Sequence, residues 1–242
     1  MSAEGWVGGL PCVRNLYTFF GHMAPSPSEL RTRIAQRMAD RAPFAVWTPV
    51  DFLDLGSRDA IDKTLQRLAQ SREIRRIDRG LYDKPTTNSL TRTPTAPDYR
   101  KVIEALTRRD QTRMLVDGLT AANDLGLTDA VPSRVVIHTD ARRKSIKLGN
   151  LAIEFKKTAP SLLYWAGRPA MRVVQALHWL KDMLSTNEQT IVKQLRRLLS
   201  DPEHGPAIRD DLRQGLSTLP TWMQPIVHRV IDDHGRRNRS AL

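Results

Sequence analysis

The sequence predicts an α+β protein, with an N-terminal winged helix-turn-helix followed by a mixed α+β second domain. Three observations predict it. A capped helical segment, Ser57 to Arg72, follows a tight turn and leads into an arginine-rich hairpin. A stretch rich in Thr, Pro, Ser and Asn divides the chain at 85–97. Beyond it, β-rich alternating runs sit between segments of helical period.

The elements of the first domain, residues 26–85, follow in order. Ser28 is placed to cap a helix reaching Arg41, with Leu30, Ile34, the Arg37 stem and Met38 on one side; Pro43 ends it. Ala45-Val46-Trp47 reads as a short strand. Thr48, Pro49 and Asp51 form an N-cap, a first-position proline and a third-position acid for the brief helix PVDFLDL, which Gly56 stops. Ser57 caps a third helix whose buried face is Ile61, Thr64, Leu65 and Leu68. Ile74 and Ile77 then alternate in a strand, Arg79-Gly80 turns the chain, and Leu81-Tyr82-Asp83 returns.

Residues 1–25 contain Gly-Gly and Pro without periodicity and read as a loose extension, with Met23 a plausible natural start. Residues 86–97 read as a linker, 98–234 as the second domain and 235–242 as a basic tail. In the second domain 98–109 is helical, with Val102, Ile103 and Leu106 inward. Leu119–Leu125 is a helix closed by Gly126, and 134–139 is a strand. Residues 145–148 and 151–155 form a hairpin around Gly149-Asn150. Helices are expected at 169–184, 187–200, 206–216 and 220–232.

The net charge is +12 and the isoelectric point about 10.4, which favours polyanionic partners. The excess is spread, +3 over 28–84, +4 over 85–150 and +5 over 151–242, so charge alone does not locate a site. No apolar run is long enough to span a bilayer, and the start lacks the layout of a signal peptide. One cysteine, Cys12, excludes an internal disulfide framework and a cysteine zinc site. A cytoplasmic protein without a membrane partner is the expectation.

A major groove admits one α-helix whose outward side chains reach base edges. On the third helix the outward face holds Asp59, Lys63, Gln66 and Gln70, flanked by Arg58, Asp62 and Arg67. Gln can read adenine, and Arg or Lys can read guanine. The hairpin adds Arg72, Arg75, Arg76 and Arg79, suited to phosphates or to an A/T-rich minor groove. Asp59 and Asp62 weigh the other way, toward a winged helix used for protein contact. A second basic cluster, Arg142, Arg143, Lys144 and Lys147, has no acid within it. It could meet DNA phosphates or an acidic or RNA-bearing partner, or be a solvated hairpin tip.

Several of these segments carry a resemblance. WTPVDFLDLGSRDAID (47–62) and IRRIDRGLYDKP in the first domain resemble the AbiEi family of antitoxins from AbiE-type, type IV toxin–antitoxin systems. So do GLTAANDLGLTDAVPSRVVIHT, SIKLGNLAIEFKK and LLYWAGRPAMRVVQALHWL in the second. The likeness covers roughly residues 28–200, and the 22 residues before Met23 fall outside it. The resemblance implies a DNA-binding N-terminal domain that represses its own operon. It also implies a C-terminal domain that neutralises a nucleotidyltransferase-like toxin, with or without direct contact. Such a repressor is expected to bind an operator inverted repeat, as a dimer on DNA. It supplies no catalytic residues.

None of the six histidines stands in a metal-ligand spacing, and no P-loop or nucleophile-elbow motif occurs. Asp210-Asp211 and Asp232-Asp233 are adjacent acids on helices, where neighbours point apart. The expectation is therefore a non-enzyme without cofactor or metal. The alternative to an antitoxin is a stand-alone winged-helix regulator whose second domain senses a ligand or dimerises.

Overall fold

The computed structural model describes residues 26–40 and 45–237, without the side chains of 233–237. The expected N-terminal extension, the Pro43 stop and the last five residues of the expected tail lie outside the described residues.

The first half has the layout of a winged helix-turn-helix. Helix α1 (Pro27–Asp40) starts two residues earlier than a cap at Ser28 implies. Ser26 is the cap: its hydroxyl accepts from Glu29 N–H, and its carbonyl accepts from Leu30 N–H. Pro27 then occupies the first helical position, where its missing N–H costs nothing. Leu30, Ile34 and Met38 are buried as the period required. Strand β1 (Val46–Trp47) leads into a 3-10 turn, Pro49–Phe52, where a longer helix was expected. The Asp51 carboxylate accepts from both the Thr48 N–H and hydroxyl, at 2.7 and 2.9 Å, and tightens this segment into a single turn. Phe52 stacks on Trp47 with ring centroids 5.3 Å apart. Arg37 lies over the Phe52 ring and grips Asp54 through two bonds of 2.7 and 2.6 Å, fixing the turn against α1.

Helix α2 (Arg58–Gln70) is capped by Ser57 and buries Ile61, Thr64, Leu65 and Leu68, the face its sequence period marked. Strands β2 (Arg75–Asp78) and β3 (Leu81–Asp83) turn at Gly80, whose φ of +66° suits glycine. The sheet order β1-β3-β2 is antiparallel throughout, so the wing hairpin is completed by the strand that precedes the turn.

The connection at 86–97 closes on itself. Thr95 N–H donates to the Thr86 carbonyl at 2.8 Å, Asn88 N–H donates to the Thr93 carbonyl at 2.9 Å, and Thr87 bridges Pro94. The Asn88 side chain accepts from the Leu90 and Thr91 amides, an Asx turn that holds the tip.

The second domain opens with α3 (Tyr99–Asp110), capped by Asp98 and stopped at Gln111 in the left-handed region. Strand β4 (Met114–Val116) was not anticipated. It precedes α4 (Gly118–Asp124), which ends before Gly126 with φ +65°. Strands β5 (Arg134–Thr139), β6 (Ile146–Leu148) and β7 (Leu151–Lys157) complete a sheet of order β4-β5-β7-β6. The β6–β7 hairpin turns at Gly149 as expected, while β5 and β7 run parallel. The expected helix at 169–184 is instead α5 (Met171–Leu180) followed by a 3-10 turn. Then come α6 (Leu184–Leu199), α7 (Gly205–Gly215) and α8 (Gln224–Arg237), the last running three residues into the expected tail. Among the described residues no helix is long and apolar enough to cross a membrane.

Helices α4 and α5 cross with their backbones nearly touching. A Cβ on Gly118 would lie 2.6 Å from Trp179 Cβ and 2.7 Å from the Gln175 carbonyl oxygen. Neither atom can swing aside. Gly118→Ala is therefore expected to cost about 2–3 kcal/mol in urea unfolding, the upper range for overpacking. An unchanged midpoint would mean that the helices part freely.

The main core spans both halves of the chain. Val46 of β1 and Leu81 of β3 belong to the same buried cluster as Val102, Leu106, Ile146 and Leu148. Polar bonds reinforce this junction. Arg108 on α3 donates to Asp51 at 2.7 and 3.0 Å and to the Val46 carbonyl at 3.2 Å. Arg109 donates to the Arg79 carbonyl at 2.8 Å, at the wing tip.

Candidate nucleic-acid interface

Because α2 is anchored by one apolar face, its other face is presented outward. Asp59, Lys63, Gln66, Arg67 and Gln70 are all exposed. Two of the cations expected to read bases carry partners on the same helix. Arg58 Nε bonds Asp62 at 2.9 Å, and Lys63 Nζ bonds Asp59 at 2.8 Å, both one turn apart. The acids that seemed unfavourable near phosphates are thus half of two exposed ion pairs. Such pairs are worth only about 0.3–0.5 kcal/mol, so they exchange readily for a stronger anion. Gln66, Arg67 and Gln70 carry no side-chain partner among the described residues.

The wing arginines divide into two kinds. Arg75 faces Asp83 across the β2–β3 ladder and binds it through two bonds, 2.9 and 2.5 Å, with Asp83 only 5% exposed. Its charge is matched by a buried acid, and it serves the sheet. Arg76 and Arg79 are exposed at the bend, as is Arg72, which has φ +60° directly after α2. Arg76 makes one long bond, 3.4 Å, to the Asp78 carbonyl.

Helix and wing meet around Tyr82, the residue opposite Arg76. Burial raises the pKa of its hydroxyl, with Arg76, Arg58 and Asp62 near enough to act on it electrostatically. So the first turns of α2 and the wing share one face. The second basic cluster also divides. Arg143, expected to be without an acid, bonds Asp110 at 2.5 Å and lies over the Phe155 ring. Arg142, Lys144 and Lys147 are exposed. Strand β2 packs beside β6, which carries the exposed Lys147.

The sequence reading missed the α3 arginines that hold this arrangement. The sequence places Arg108 and Arg109 at the end of the helix at 98–109, and only the tertiary packing brings Asp51 and the wing tip to them. It also missed Asp124, 4% exposed, which collects Tyr99, Arg100 and Arg172. Among the described residues, no group of three or more His, Cys, Asp or Glu side chains is placed to hold a metal ion.

The model of a family of unknown function, DUF6088, matches residues 33–203, from α1 through α6. No curated protein matches the chain.

Proposed function

The chain belongs to this family of unknown function, DUF6088, and from its own surface we propose that it is a duplex-DNA-binding repressor of its own operon. Its second domain would act as an antitoxin. The observation that carries the DNA reading is that Gln66, Arg67 and Gln70 stand exposed and unpartnered on α2, while Arg58 at its start and wing Arg76 both lie near the Tyr82 hydroxyl. Helix α2 enters the major groove. Arg76, Arg79, Lys144 and Lys147 follow the phosphates beside it, and Arg58 and Lys63 exchange their helix partners for DNA. A single module reads a short half-site, so two copies bind an inverted repeat. The antitoxin reading rests on the AbiEi-like segments and names a nucleotidyltransferase-like toxin as the functional partner. Coexpression with such a toxin is expected to restore growth.

The test separates base from phosphate contacts. Arg76→Ala is expected to weaken operator and random DNA alike and to flatten the salt dependence by about one contact, a slope of roughly 0.9. Gln66→Ala is expected to spare random DNA and to cost about 1–3 kcal/mol on the operator. Titrations of both variants on both DNAs, at several salt concentrations, decide it. Identical behaviour of the two variants would remove α2 from the groove.

One observation favours a second reading, a regulator that senses a ligand. A cavity of about 630 Å³ lies at the domain junction, lined by Arg37, Val46, Trp47, Asp51, Glu104 and Arg108 among others. A ligand there would touch both the turn before α2 and the helix that holds the wing. Failure to restore growth in the coexpression assay, with operator binding intact, would select this reading.

A further inference from the structure

The C-terminal ends of the parallel strands β5 and β7 lie side by side, with His138 and Lys156 in register. In α/β sheets the space outside the carboxyl ends of parallel strands is where ligands settle. Here that space is a cavity of about 530 Å³, closed on one side by α5 and on another by the turn after β7. This volume lies within the range of small-molecule sites. None of the winged-helix residues lines it.

Its chemistry is one-sided. The polar lining is His138, Lys156, Lys157, Thr158, Gln175 and His178, with no carboxylate. Neither lysine has a carboxylate partner among the described residues. Two other basic side chains of the sheet region are matched, Arg134 by Glu154 and Arg143 by Asp110. The Thr158 hydroxyl donates to the Lys156 carbonyl at 3.2 Å and so accepts from His138 Nδ1 at 3.0 Å. That pair fixes the neutral tautomer and leaves Nε2 as the free nitrogen. Burial, then the nearby Lys156, holds His138 below its ordinary pKa against the smaller opposing pull of Asp117, which does not line the cavity. Burial, then Lys181, does the same for His178, which lies edge-on to Trp222. A dianion entering the cavity would be drawn to Lys156 and Lys157, which have no carboxylate partner there. The remaining walls are apolar. Leu115 lies at the base, and Leu162, 69% exposed, stands at the lip. A bare phosphate would leave those walls uncovered.

We propose that this cavity binds a nucleoside 5′-phosphate, with Lys156 holding the phosphate and Leu162 and Gln175 contacting the nucleoside. The site is separate from the DNA-binding face and stands without that reading.

Calorimetric titration of the full chain with AMP, adenosine and inorganic phosphate tests it. AMP is expected to bind saturably, with adenosine and phosphate each at least about tenfold weaker. A charge-assisted hydrogen bond is worth about 1.5–3 kcal/mol, so Lys156→Ala should weaken AMP by at least about tenfold. Lys156 is exposed, so the melting temperature should not move. Gln175→Ala should weaken AMP and leave phosphate unchanged. The proposal is overturned if AMP gives no saturable heat, or if Lys156→Ala binds AMP as the parent does. It is equally overturned if adenosine or phosphate alone matches AMP, or if a single-stranded oligonucleotide binds the cavity where AMP does not.

Discussion

Asp124→Ala is expected to lower the stability of the whole chain by about 3–5 kcal/mol, the cost of breaking a buried charge network from its centre. The Asp124 carboxylate is nearly inaccessible and receives the Tyr99 hydroxyl, Arg100 at 2.6 Å and Arg172 at 2.9 Å. These donors come from α3 and α5, so the acid at the end of α4 joins three helices. Removing it leaves two guanidinium groups facing each other with no anion between them. Asp124→Asn keeps the shape and loses the charge, and should fall between the parent and Ala. The same geometry sets a pH dependence. Burial acts to raise the pKa of Asp124, but Arg100, Tyr99 and Arg172 overcome it and hold the value below the ordinary carboxylate range. A depressed native value means that the stabilisation is complete above the unfolded pKa, near 3.9. It is then lost as pH falls through the native value. Urea unfolding of the parent should therefore weaken steeply below about pH 4, and that slope should shrink in Asp124→Asn. Equal slopes would show that other carboxylates control acid unfolding.

The second large effect is expected at the junction of the domains. Asp51→Ala should cost about 2–3 kcal/mol, combining a lost cap of about 1 kcal/mol with a lost ion pair that is largely buried on the acid's side. Asp51 is 13% exposed at its side chain and accepts four bonds, two from Thr48 and two from Arg108. Burial opposes its ionisation, yet Arg108 and the Thr48 amide and hydroxyl keep its pKa below the usual value. Arg108→Ala removes the bridge and the bond to the Val46 carbonyl but leaves the cap. It should therefore cost less than Asp51→Ala in urea unfolding. Both variants should also weaken operator binding, because the turn that Asp51 shapes leads directly into α2. If the chain melts in two steps in the parent and Arg108→Ala leaves both unchanged, the halves are energetically separate.

Much of the first domain was legible because its signals are local. Ser57 and the spacing of Ile61, Leu65 and Leu68 mark both the start of α2 and its buried face within thirteen residues. The wing follows from Ile74 and from Gly80, whose positive φ a side chain would resist. What sequence does not carry is pairing across distance. Arg75 looks as free as Arg76, and only the ladder register shows that Asp83 stands opposite it. Arg143 looks unopposed because Asp110 is 33 residues away. Strand β4 is three residues long and buried throughout, too short for any alternation to show. The break between α5 and α6 was expected at 185–186 and lies a few residues earlier. The 3-10 turn at Lys181–Met183 interrupts no apolar pattern, so its exact place carries no local signal. The His138–Lys156 pairing needs the parallel register of β5 and β7, which no short-range motif announces.

The self-closed connection at 86–97 bears on how this architecture can vary. Thr86 and Thr95 are hydrogen-bonded partners, so the excursion leaves and re-enters at one place, and its tip, Leu90, is 91% exposed. Closing a longer loop between the same two anchors adds only about 0.6 kcal/mol per doubling of its length. The distance between the winged helix and the second domain is therefore not a tether length. It is set by Arg108, Arg109 and the shared core, and residues can be gained or lost at the tip without changing the reach of either half.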